Sequence, residues 1–292
     1  MNDYVITCST TCDLNKEHLE KNNNPYVHFS FYINDKKYLD DFYSEVKKDE
    51  FYNLIRDNDS KTSQPDPEEY VKVFSSILDQ GKDVLHVELS SGISGAFNSA
   101  NIAKDMIKDN YKDRKIYIVD SLSASSGFGL FVDILNKLKN DGKSIDEVYD
   151  FAINNRININ CIFYTNDLSQ LIKGGRVSKT AGAIGKLLNI IPIMHVNKDG
   201  KLEVIEKIRG RNNALKFVVD TIKKNYKGEY IKGFYVANSN CEDLATEAVN
   251  KIKENFTDLK DDDIKIFDIG TVIGTHTGKG TVAIFYYGGV RQ

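Results

Sequence analysis

The feature that most constrains the fold is an alternation in the first half of the chain. Short apolar runs take turns with segments whose apolar residues recur every three or four positions. The runs expected as strands are approximately Tyr4 to Cys8, Val27 to Ile33, Val84 to Leu89 and Ile116 to Asp120. Between the last two, Phe97, Ala100, Ala103 and Ile107 form the stripe of a helix that buries one face. A further helix is expected to open at Pro67, because proline suits a first turn, and to carry Tyr70, Phe74, Ile77 and Leu78 inward. This is the pattern of a parallel sheet covered by helices on both faces.

The second half reads differently. Pro192 to Val196 and Leu202 to Ile208 flank Asn197-Lys198-Asp199-Gly200, a strong hairpin signal, so an antiparallel element enters here. Strands expected at Gly233 to Ala237, Ile264 to Ile269 and Val282 to Tyr287 are interleaved with helices near Asn213 to Lys224 and Asp243 to Glu254. The expected architecture is therefore two α/β domains. An N-terminal parallel-sheet α/β/α domain spans 1–156, and a C-terminal mixed α/β domain with antiparallel strands spans 157–292, its last strand free to pack with either. The boundary falls in the asparagine-rich stretch Asn154 to Asn160, after a helix around Ile145 to Ile153. No solenoid period recurs.

Composition narrows the function. A chain of 292 residues with 41% hydrophobic content has enough material for two buried cores. Its 39 Lys and Arg are scattered among 42 Asp and Glu, for a formal charge of −3, which gives no electrostatic reason to expect a nucleic-acid partner. The opening Met1-Asn2-Asp3 leads straight into Tyr4-Val5-Ile6-Thr7, so no signal peptide and no membrane span is expected, and the composition fits a cytoplasmic protein. Cys8, Cys12, Cys161 and Cys241 make no disulfide framework. Cys8 and Cys12 lack a second ligand pair at metal spacing, so no metal is expected.

Three segments gather small and hydroxylated residues at strand ends, where open α/β sheets bind ligands. Lys61-Thr62-Ser63-Gln64-Pro65 is read as a loop before the Pro67 helix, and a helix N-terminus favours an anion; an ordinary helix cap explains one hydroxyl equally well. Ser90-Ser91-Gly92-Ile93-Ser94-Gly95 joins a strand to a helix, with glycines that permit close backbone approach. Thr275-His276-Thr277-Gly278-Lys279-Gly280 is read as a loop before the last strand and holds one of the five histidines. His18, His28, His86 and His195 lie in or beside regular elements and carry no functional claim.

Thr62-Ser63-Gln64-Pro65, Ser90 to Gly95, Lys173-Gly174-Gly175-Arg176-Val177-Ser178-Lys179 and His276-Thr277-Gly278 stand in the order found in the DegV family, which the whole chain resembles, including Asp120-Ser121 and Ser126-Gly127-Phe128-Gly129. The resemblance implies a two-domain, non-catalytic protein that buries a long-chain fatty acid between its domains, with no other cofactor. In several members that acid is presented to a partner fatty acid kinase for conversion to acyl phosphate. Carried onto this sequence, Thr62 and Ser94 would bind the carboxylate, with His276 assisting directly or through water. Arg176 and Arg209, in two basic segments expected to be exposed, would be candidates for docking that partner. The chain departs from the family pattern at Cys8-Ser9-Thr10-Thr11 and at Ile191, where a lysine is common.

Two other classes fit less well. Gly92-Ile93-Ser94-Gly95-Ala96 is superficially a serine-hydrolase elbow, with His276 as base of an esterase, but Ala96 replaces the final glycine and no aspartate is marked as the orienting acid. Neither Gly174-Gly175 nor Gly182-Ala183-Ile184-Gly185-Lys186 has phosphate-loop spacing, and Leu187 stands where a Ser or Thr should follow Lys186.

Overall fold

A computed structural model of the protein describes residues 3–178 and 189–291; Lys179 and the Gly182 to Leu187 segment weighed above lie outside the described residues. The chain starts with β1 (Tyr4–Ser9), a single 3-10 turn and a short α1 (Lys16–Lys21), whose first turn is capped by the Asn15 side chain accepting from His18 N–H. It continues through β2 (Tyr26–Val27), β3 (Ser30–Ile33), β4 (Lys36–Leu39), α2 (Lys48–Asp57) and β5 (Ser60–Ser63). The regular alternation follows: α3 (Pro67–Leu78), β6 (Asp83–Glu88), α4 (Ala96–Ile107), β7 (Ile116–Asp120), α5 (Ser125–Asn140) and α6 (Ile145–Asn155).

Strands β2, β1, β6 and β7 lie in that order as a parallel sheet. Proline opens α3 as expected, and Tyr70, Phe74, Ile77 and Leu78 are buried with Ala100, Ala103 and Ile107 of α4 on one face of the sheet. The run expected as one strand from Val27 to Ile33 is two strands in two sheets. Only Tyr26 and Val27 extend the parallel sheet, while β3 pairs antiparallel with β4 and β5 in a separate three-stranded sheet backed by α2. Apolar alternation continues through the crossing at His28 and Phe29, so periodicity alone cannot show the change of partner.

The remaining elements are β8 (Ile159–Tyr164), α7 (Ser169–Lys173), β9 (Ile190–Val196), β10 (Leu202–Arg209), α8 (Arg211–Asn225), β11 (Phe234–Asn238), α9 (Glu242–Asn255), β12 (Ile264–Asp268), α10 (Thr271–Thr277) and β13 (Val282–Tyr287). Six strands form a mixed sheet in the order β10-β9-β8-β13-β11-β12, in which only β11 and β12 run parallel. The β9–β10 hairpin turns on Asn197, whose Oδ1 accepts from Asp199 and Lys201 N–H at 3.0 Å each, and on Gly200 at φ +72°. Helices α8 and α9 cover the outer face of this sheet.

Helix α5 lies between the two larger sheets, against β1 on one side and β8, β11 and β13 on the other. Its residues from Ser125 to Val132 are buried on every side, as expected of a helix inside a core rather than on a surface. One apolar cluster therefore runs continuously from Ile6 and Val87 through Phe128 and Phe131 to Phe163 and Phe285. Three of the histidines without a functional claim, His18, His28 and His86, are held by hydrogen bonds; His86 Nδ1, for example, is 2.9 Å from Thr7 Oγ1 and its Nε2 is 3.1 Å from Glu88 Oε2.

Candidate functional site

Two segments read as loops are regular structure, and this is what positions the site. Thr62 lies on β5, opposite Phe31 of β3, and not in a turn. Ser60-Lys61-Thr62-Ser63 carries no large apolar residue, so nothing in the sequence marks it as a strand. His276 lies in the last turn of α10. That helix is disguised by Gly274, which is required because a Cβ there would stand 2.8 Å from the Tyr52 hydroxyl. Its start is fixed by Asp40, whose Oδ1 accepts from Thr271 N–H at 3.3 Å and Thr271 Oγ1 at 2.8 Å. Burial pushes the Asp40 carboxyl up, and the threonine bonds act against that rise.

These two elements bring Thr62 and His276 together although 214 positions separate them: Thr62 Oγ1 and His276 Nε2 share a hydrogen bond of 2.8 Å. The other face of the imidazole rests on Gly174, where a Cβ would stand 2.3 Å from Nδ1, so only glycine leaves room for the ring. Desolvation, helped by the nearby Arg176 charge, pulls the His276 pKa from 6.5 to about 4, which makes the ring neutral at pH 7. Ser94 lies in the loop between β6 and α4, as expected, and its Oγ accepts from Ala96 N–H at 3.2 Å, leaving its own proton to donate. Gln64 closes over the same loop: its Nε2 donates to Ser99 Oγ at 2.8 Å, and its Oε1 occupies the space that a side chain at Gly95 would need.

Thr62, Ser94 and His276 all line one cavity of about 340 Å³, with the mixed sheet on one side and β5, the loop after β6 and α10 on the other. That lies in the range of small-molecule pockets. Ser63, Gln64, Ser125, Arg176, Thr277 and Thr281 add further polar groups to the lining, and the rest of the wall is mostly apolar, with Phe29 and Leu89 from the first half of the chain and Phe163, Val196, Ala283 and Phe285 from the second. The Ser90–Gly95 loop is pinned to the β9–β10 hairpin, because Ser90 Oγ donates to Gly200 carbonyl at 2.8 Å and Gly92 fits only without a side chain against that turn.

Arg176 was expected to be exposed, and it is not. It is half-buried and lines the cavity, its Nε donating to Ile93 carbonyl at 3.3 Å, and burial lowers its pKa. The tight turn at Gly174 and Gly175 folds it back over the site rather than out to solvent. Arg209, at the end of the edge strand β10, is exposed as expected, and neighbouring Arg211 pairs with Glu247 at 3.6 Å. A hydrolase arrangement is not assembled: His276 Nε2 faces Thr62 rather than Ser94, and Gly174 occupies the side of Nδ1 where an orienting carboxylate would sit. The Cys8 and Cys12 sulfurs lie 3.9 Å apart, fully buried, and among the described residues no three His, Cys, Asp or Glu side chains gather as metal ligands would.

The family model for uncharacterised DegV proteins matches residues 4–288. The chain belongs to the DegV family. A DegV domain-containing protein of Clostridium perfringens is 35% identical over 293 residues, covering 100% of both chains. Solved structures similar to this chain include two that bind or carry a fatty acid. One is a stearic-acid-binding protein of Eubacterium ventriosum, at 26% identity and TM-score 0.84, covering 97% of this chain and 98% of the other. The second is the Streptococcus pneumoniae fatty acid kinase B3 protein loaded with linoleic acid, at 25% identity and TM-score 0.83, covering 98% and 99%.

For a DegV-family chain, the motifs flag the polar end of the cavity and say little about its apolar walls. Phe29, Phe163, Ala283 and Phe285 carry no sequence signal as lining residues, because an inward apolar side chain on or beside a strand looks the same whether it faces a core or a cavity. Arg176 carried a signal, the adjacent glycine pair, but a glycine turn does not say which way the following side chain will point.

Proposed function

We propose that this protein binds one long-chain fatty acid in the cavity between its sheets and presents the carboxyl group to a partner kinase for acyl-phosphate formation. The observation that carries the reading is a cavity in which Thr62, Ser94 and His276 meet and whose remaining wall is largely apolar. Related structures bound to stearic and linoleic acids support it. In this reading Thr62 and Ser94 donate to the carboxylate, the neutral His276 contributes a third contact, and Arg176 supplies positive charge at the rim.

The tail supplies affinity and the polar end supplies orientation. Burying about fourteen methylenes at ~0.8 kcal/mol each gives ~11 kcal/mol gross, from which association and ordering costs subtract several kcal/mol. A pair of hydroxyls holds a carboxyl group without enclosing it in a bidentate arginine pair, so one oxygen stays accessible for phosphorylation. The protein is then a carrier without catalysis of its own, using no further cofactor and working in the cytoplasm with the nucleotide-dependent kinase. Arg209, exposed at the end of β10, is the remaining candidate for docking that partner.

The test compares octadecanoic acid with octadecanol in a displacement assay on wild type and on a Thr62→Val/Ser94→Ala variant. The acid is expected to bind wild type better than the alcohol, and the variant to lose that preference. Equal binding of acid and alcohol by wild type would contradict the proposal. For the partner, Arg209→Ala should lower acyl-phosphate formation by a cognate kinase and leave lipid binding intact; unchanged formation would remove Arg209 from the account.

A further inference from the structure

Helix α5 enters between the sheets with Ser125 on the cavity wall, and Gly127 follows half a turn later. Gly127 is buried, and a Cβ built on it would stand 2.4 Å from Cδ1 and 2.9 Å from Cε1 of Phe285, with Ser123 Oγ at 2.8 Å. The Phe285 ring therefore occupies the space that any other residue at 127 would fill. The same ring lines the cavity, opposite Cys161 on β8, which lines it too.

Strand β13 gives the depth of this contact. Thr281, Ala283 and Phe285 alternate onto the cavity face, and Thr281 sits at the polar end, its Oγ1 donating to the Thr277 carbonyl beside His276 at 3.3 Å. Four residues of extended strand carry the wall ~14 Å from Thr281 to Phe285. An extended hydrocarbon tail advances ~1.3 Å per carbon, given C–C bonds of ~1.5 Å at near-tetrahedral angles. The ring thus meets a bound tail about eleven carbons beyond its carboxyl group.

We infer that Gly127 is a positioning residue for chain-length selection: by leaving room for the Phe285 ring, it keeps the deep half of the cavity open to long tails. The inference rests on the fatty-acid reading above. A methyl group at 127 requires the ring to yield, and the open volume beside the ring is the cavity itself. Acids that end before the ring are unaffected, and acids that must pass it bind more weakly.

Wild type and Gly127→Ala are each incubated with an equimolar series of saturated acids from octanoic to octadecanoic, and the bound acids are identified by mass spectrometry after native isolation. Gly127→Ala is expected to lower the ratio of bound octadecanoic to octanoic acid by about tenfold, the effect of roughly two methylenes left unburied. Adding Phe285→Leu to that variant should restore the wild-type ratio. A Gly127→Ala protein with the wild-type length distribution, or a double variant that fails to recover it, overturns the inference. Should Gly127→Ala not fold, Phe285→Leu alone decides: a shift of the bound population toward longer acids supports the ring as the limit, and no shift rejects it. A wild type that takes up none of the acids defeats the fatty-acid reading itself, a result distinct from an unchanged length ratio.

Discussion

The two ends of the cavity are built in different ways. The polar end is assembled from separate pieces, strand β5, the loop after β6, the end of helix α10 and the turn carrying Arg176, each contributing a side chain or two. The apolar end is made of continuous secondary structure, chiefly strands β8 and β13 with helix α5 behind them. Contacts from separate pieces fix the direction in which a ligand sits and give modest net energy each, whereas a continuous apolar wall gives a contribution that grows with every buried carbon. The two ends are therefore expected to respond to substitution in different currencies, the first in selectivity for the acid and the second in affinity and length.

The largest effect should come from filling the apolar end. Ala283→Phe projects a ring from β13 into the cavity and displaces about four methylenes' worth of burial, weakening a long-chain acid by ~3 kcal/mol, or about 100-fold in Kd. Octanoic acid, which extends less far past Ala283, should lose less, and an equal loss for both acids would erase the distinction between the ends. A smaller effect is expected from Gly174→Ala, because a methyl group 2.3 Å from Nδ1 drives the His276 ring off its place and breaks its bond to Thr62. The expected cost is about 1–3 kcal/mol of stability in chemical denaturation, with loss of acid-over-alcohol preference. Unaltered stability would mean that the ring is not seated on Gly174.

Thr62→Val keeps the shape of the side chain and removes the hydroxyl, so it isolates orientation. It should weaken the acid about tenfold, roughly 1.4 kcal/mol, with the dependence on tail length unchanged. A change in that dependence would show that the two ends are coupled. The mildest signature is in pH. The folded protein holds His276 at about 4, below the 6.5 of the unfolded chain, so between those values the unfolded state binds more protons. The stability this supplies is complete above pH 6.5 and disappears as pH falls toward 4. His276→Gln should flatten the ligand-free unfolding profile across that window by on the order of 1 kcal/mol, and an unflattened profile would place the imidazole in water.

The same contrast explains what was legible in the sequence. The parallel sheet, the Pro67 helix and the Asn197–Gly200 hairpin follow from periodicity and turn chemistry, which are local properties. The residues of the polar end were legible as motifs, since hydroxyls, glycines and a histidine stand out against strands and helices. Their secondary structure was not: Thr62 lies on a strand that gains its identity only by pairing with β3, and His276 lies on a helix whose Gly274 is explained only by the Tyr52 hydroxyl. Phe285 is legible as a strand residue but not as a lining one, because whether an inward ring meets core or cavity depends on the opposing layer.

The central claim is that this cavity holds a fatty acid. Mass spectrometry of the purified protein, first under native and then under denaturing conditions, tests it most directly. The account predicts an adduct of one long-chain acid per chain in the native spectrum, released on denaturation as a free acid. A protein that purifies empty and takes up no added acid would contradict it.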